Sequence, residues 1–134
     1  MKPIEGEAPM FQSLDLFRTA MALARHSGLQ QAISSQNVAN ADTPGYRGLE
    51  IPDFAETLRQ PLTGQRATRA THLNGALQDG LPEPHTRRAT VDPNGNTVSL
   101  ETEMVTAVEA SRAHNKALSI YRSNLTLLRA SLGR

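Results

Sequence analysis

The 134-residue chain contains no cysteine and no tryptophan, and its aromatic side chains number five: Phe11, Phe17, Tyr46, Phe54 and Tyr121. Without thiols, disulfide frameworks, thiolate metal sites and cysteine nucleophiles are all excluded, and cysteine usage says nothing about compartment. So few aromatics remove the side chains that supply much of the buried area in ordinary domains. A core here must come from Leu, Ala, Val, Ile and Met, which argues against a self-sufficient globule. A net charge of +1 gives no overall pull toward nucleic acid or membrane. The stretch from Arg59 to Arg88 is locally basic, but no aromatics interleave with its arginines to stack bases. Long apolar runs are missing too. "AMALA" at 20–24 is far too short to span a bilayer. The N-terminal "MKPIEGEAPMF" has prolines and acids where a cleaved leader needs an apolar stretch, so any export is expected to proceed without one.

Proline and glycine are present but confined. Six of the eight prolines lie between Pro44 and Pro93, and six of the nine glycines between Gly45 and Gly95. Helix interiors exclude proline, so the two ends are free to form long helices and the middle is not. This predicts a flexible arm over 1–12, a helix over 13–41, an irregular segment over 42–97 and a helix over 98–134.

Ser13 is positioned to cap the first helix, with Asp15 in its first turn. Leu14, Phe17, Met21 and Ala24 then recur at spacings of three and four. In the last part the row Leu100, Met104, Ala107, Ser111, His114, Leu118, Tyr121, Leu125, Leu128 and Leu132 keeps a heptad rhythm. "PNGN" at 93–96 is a turn signal, Ser99 a candidate cap, and Glu101 and Glu103 suit a helix N-terminus. The expected fold is mainly α: an antiparallel, coiled-coil-like pair of terminal helices around an irregular or short-β middle that orders on assembly. Its helix seam comprises Leu14, Phe17, Met21, Leu100, Met104, Leu118, Tyr121, Leu125, Leu128 and Leu132. Two helices leave much of such stripes uncovered, so other copies or chains should cover the rest. In the middle, Asp53 and Glu56 imitate a capping box for a short helix near 53–59. Short strand pairs are readable around "RATRATHLNGAL" and "HTRRATV".

Chemistry is hard to find. His26, His72, His85 and His114 lack metal-ligand spacing, and no nucleophile elbow or phosphate loop is present. His114 falls on the helical row, where a packed or hydrogen-bonded histidine is the ordinary reading. The chain is expected to be no enzyme, to carry no cofactor, and to bind neither nucleic acid nor a small-molecule substrate. What stands out is "SSQNVANADTPGYRGLE" at 34–50. Pro44 biases Thr43 away from helical torsions, and Gly45 permits a reversal. A helix stop needs no more than that. Asn37 and Asn40 carry amides that either finish the helix end or bind the backbone of a neighbouring chain, and both readings stand.

"NVANADTPGYRGLEIPDF" at 37–54 resembles the signature of the flagellar basal-body rod family, in which Asn-x-x-Asn-Ala-Asn/Asp-Thr-Pro-Gly-Tyr closes the first helix. The chain's shortness and its "PDFAETL" are similar to the proximal members, and "GNTVSLETEM" resembles the family's approach to its last helix. "EMVTAVEASRAHNKAL" is similar to a sister proximal rod protein of the same family. The resemblance implies a helically assembled subunit of the axial drive shaft in the periplasmic rod of the basal body, exported without a cleaved signal. Implied partners are copies of itself, other rod proteins, the rod-base adaptor, the membrane ring and the flagellar export gate. Asn37, Asn40, Ala41, Asp42, Thr43, Pro44, Gly45 and Tyr46 become the candidate subunit-interaction motif. A rival from another class is a leaderless secreted coiled-coil adaptor that uses the same two helices to bind one partner.

Overall fold

The structure, a computed structural model, describes residues 8–59 and 81–133. Two long helices dominate: α1 spans Ala8–Ala39 and, as the last element, α3 spans Leu100–Ser131, each with 32 residues or roughly 48 Å of rise. Between them lie β1 (Leu49–Glu50), α2 (Phe54–Arg59) and β2 (His85–Thr86). The first helix starts ahead of Ser13, with Pro9 in its first turn. A missing N–H there costs no helical bond, since the first-turn donors have no partner in any helix. Ser99 occupies the position before α3 in an extended conformation without a side-chain capping bond. The Ser99 carbonyl instead accepts the Glu103 N–H at 3.0 Å. Among the described residues, no helix is long and apolar enough to cross a membrane.

The terminal helices pack against each other in antiparallel fashion, as three cross-helix bonds show. Asn124 Nδ2 donates to the Ser13 carbonyl at 3.0 Å, and His114 Nδ1 lies 3.1 Å from the Ala24 carbonyl. Farther along, Ser34 Oγ donates to the Glu103 carbonyl at 2.8 Å. The helix contact is built on small and polar residues seven apart: Ala20, Ser27 and Ser34 on α1, against Glu103, Ala110, Ala117 and Asn124 on α3, all buried. This line sits one residue away from half of the expected apolar row. Leu100, Met104, Leu118 and Leu132 are exposed, Met104 at 60% and Leu132 at 76%, as are Leu14 and Met21. The physical reason is distance. Small side chains let the helix backbones approach until polar groups reach carbonyls on the opposite helix, which two rows of facing leucines would prevent.

The middle segment docks at two places. His26 Nε2 meets the Pro52 carbonyl at 2.8 Å, and its ring meets Phe54 edge-on at 5.5 Å between centroids, fastening α2 onto α1. The strands form an antiparallel pair with Leu49 opposite Thr86 and Glu50 opposite His85. "HTRRATV" thus supplies a strand, but its partner is Leu49–Glu50. The other expected strand region, "RATRATHLNGAL", lies outside the described residues.

Ala117 is 0% exposed at the centre of the helix contact. Replacing it with leucine forces added volume between closely approached backbones, with an expected loss of about 1–3 kcal/mol. Urea unfolding of Ala117→Leu beside the parent chain measures it; an unchanged midpoint would contradict so tight a contact.

Candidate functional site

The last turn of a helix leaves carbonyls that its own backbone does not satisfy. At the end of α1 the chain makes successive tight turns, with Ala41 N bonded to the Val38 carbonyl at 3.2 Å and Thr43 N to the Asn40 carbonyl at 3.0 Å. The carbonyls of Asn40, Ala41 and Thr43 then converge on one side chain from the far end of the sequence. Asn96 Nδ2 lies 3.0, 2.7 and 2.9 Å from them, so its two amide protons are shared among three acceptors. Its Oδ1 accepts the Val98 N–H at 2.7 Å. Asn96 is 1% exposed. A distant asparagine therefore caps the turn that follows α1.

Asn37 works in the reverse direction, from the helix to the outgoing chain. Its Nδ2 donates to the Leu49 carbonyl at 2.8 Å, and its Oδ1 accepts the Leu49 N–H at 2.9 Å and the Tyr46 hydroxyl at 3.2 Å. The amide stands in for a neighbouring strand. Asn37 is 0% exposed, and its hydrogen bonds are made within its own chain. Tyr46 likewise turns inward. The Asn40 side chain donates to the Gln36 carbonyl at 2.8 Å, and its Oδ1 lies 3.4 Å from Thr43 Oγ1. Of the motif, Asp42, Thr43, Pro44 and Gly45 lie on the surface, and Ala41 is half-buried.

The two asparagines hold together the roots of the middle segment. Gly45 N bonds the Asn94 carbonyl at 3.0 Å, Thr97 N bonds the Tyr46 carbonyl at 3.2 Å, and Gly48 N bonds Thr97 Oγ1 at 2.8 Å. Gly45 and Gly95 have φ of 74° and 82°, a region costly for residues with a Cβ. A Cβ on Gly95 would also lie 3.2 Å from Gly45 Cα. Backbone conformation favours glycine at both positions, and crowding adds to it at Gly95 alone. Reading "PNGN" as a turn accounts for Pro93 and Gly95 but leaves Asn96 without a task. That surplus asparagine was the signal available in the sequence.

Charge enters beside this neck. Glu103, expected to complement the helix dipole, is 1% exposed and paired with Arg87, whose guanidinium also reaches Glu50 at 3.2 Å. Ser34 Oγ lies 3.2 Å from Glu103 Oε2, and His85 Nε2 lies 3.4 Å from Glu50 Oε1. Burial explains the arrangement, because removing one partner of a buried pair costs about 3–5 kcal/mol. The sequence places Glu103 near a helix start but does not show which cation would return to it.

Six of the expected seam residues come together elsewhere. Leu14, Phe17, Met21, Tyr121, Leu125 and Leu128 line an open groove of about 610 Å³ at the other end of the helix pair. Phe17 and Tyr121 meet there in a T-shaped contact at 5.1 Å. Among the described residues, no group of three or more His, Asp or Glu is placed to hold a metal ion.

The region from α1 into the locked turn places the chain among known proteins. Residues 18–47 match a family model described as "Flagella basal body rod protein". Similarity to individual members extends much farther. The chain is 26% identical over 121 residues to the flagellar basal body rod protein FlgB of Agrobacterium fabrum, covering 84% of this chain and 88% of the relative. It is 29% identical over 107 residues to FlgB of Salmonella typhimurium, covering 72% and 77%.

Asn96→Ala removes the shared cap and is expected to cost about 1–3 kcal/mol by taking the amide away from partly buried carbonyls. Asn96→Asp should be at least as damaging, since it turns an acceptor toward three carbonyls. Denaturant midpoints of the two variants decide this, and an aspartate that restored stability would argue against the cap.

Proposed function

We propose that this chain is a structural subunit of the bacterial flagellar basal-body rod, of the FlgB type. The observation that carries the reading is a coincidence of position. The segment matching the family model, 18–47, runs along α1 and ends inside the asparagine-locked turn. Similarity to two FlgB proteins over most of the chain adds to it, and favours that member over its sister.

On this reading the helix pair, held closed at one end by the neck, presents its uncovered apolar row to neighbouring subunits. Leu100, Met104, Leu118 and Leu132, with Leu14 and Met21, supply the buried area that the isolated chain lacks. Asp42 and Thr43 offer polar contacts to the next subunit from the locked turn, with Pro44 exposed beside them, while Asn37 and Tyr46 shape that surface from beneath. Helical stacking of such subunits makes a periplasmic axle that carries torque. Its partners are further copies, other rod proteins, the rod-base adaptor, the membrane ring and the export gate.

The test is recovery of the protein with detergent-isolated hook-basal bodies, and loss of swimming when its gene is deleted. Absence from intact basal bodies of motile cells would defeat the proposal. The double variant Met104→Lys, Leu118→Lys changes exposed positions, so its unfolding midpoint should stay within about 0.5 kcal/mol of the parent. Its incorporation into rods and its support of swimming should nevertheless fall sharply. Normal motility would mean that this row is not an interface.

A further inference from the structure

We propose that Arg87 is a latch that makes closure of the helix pair conditional on return of the middle segment. Glu103 lies within the α1–α3 contact, one of the largest side chains shielded from solvent in the described chain. Its neighbour on α1 is the Ser34 hydroxyl, which donates a hydrogen bond but carries no charge. The compensating cation belongs to neither long helix. It is Arg87, from the strand that brings the middle segment back, and it reaches Glu103 with Nη1 and Glu50 with Nε.

Burying a carboxylate without a counter-charge is strongly unfavourable. The two helices thus cannot close around Glu103 until β2 has arrived beside β1 with Arg87 in place. The backbone holds that strand independently, through Arg87 N bonded to the Gly48 carbonyl at 2.7 Å and the Leu49–Thr86 and Glu50–His85 pairing. Glu50 does not need the latch in the same way, being partly exposed with His85 beside it. Removing the guanidinium leaves the return path intact and acts on the buried carboxylate. The latch couples two events far apart in sequence, clasping of the neck and zipping of α1 onto α3.

The absence of cysteine permits a direct test. Spin labels on Ser35→Cys and Thr102→Cys, both exposed positions, report the separation of the helices beside Glu103 in the full-length chain. The parent should give one short distance. Arg87→Ala should move the closed-to-open ratio by on the order of a hundredfold, making a longer, broader distance dominant. Adding Glu103→Gln to Arg87→Ala should restore the short distance, because the neutral amide still meets Ser34 and needs no cation. Glu50→Gln alone should leave the distance as in the parent. A closed helix pair in Arg87→Ala overturns the latch. If Arg87→Ala loses its fold altogether, the double variant decides: recovery of the short distance supports the latch, and failure to recover it overturns it.

Discussion

Everything in this structure depends on how the backbone is satisfied at the end of α1. A helix that stops inside a protein leaves polar groups that must find partners. Here local turns satisfy the last carbonyls, and two asparagine amides fasten the chain that follows, in opposite directions. Asn37 sends its amide from the helix to the outgoing chain at Leu49, and Asn96 sends its amide from the returning chain to the turn after the helix. Each bonds through both its nitrogen and its oxygen, and among the described residues no buried side-chain nitrogen or oxygen lacks a partner. The paired glycines, the bonds between 45 and 94 and between 46 and 97, and the short strand pair all lie within reach of these two side chains.

The same preference for polar closure governs the helix pair. Its buried apolar residues are few, Ile33 with Ala20, Ala110 and Ala117, so hydrophobic burial between the helices is modest. Hydrogen bonds from Ser34 and Asn124 and the contact of His114 with Ala24 set the register. Polar contacts contribute less net free energy than packed leucines but penalise a shifted register more. The larger apolar side chains face outward.

The chain keeps its two roots locked while larger apolar side chains stay exposed on its flanks. Binding partners that recognise only the closed form would add stability to it by mass action. The groove around Phe17 and Tyr121 at the far end, and the exposed row on α3, are the surfaces with most to gain from such cover.

Much was legible without coordinates. The concentration of proline and glycine in the middle, together with spacings of three and four at the first end and a heptad rhythm at the last, pointed to two long helices and an interrupted connection, because helical backbone excludes proline in its interior. "NVANADTPGY" marked where the first helix stops and carried the family resemblance. Periodicity cannot tell which of two adjacent rows faces inward, though, because it measures spacing and not separation. Leu118 looked like core and Ala117 is core; the close approach that decides between them exists only once both helices are present. The partners of Asn37, Asn96 and Glu103 were hidden for the same reason. A side-chain amide or carboxylate binds whatever the fold brings within about 3 Å, and for Asn96 and Glu103 that was chain from far away in sequence.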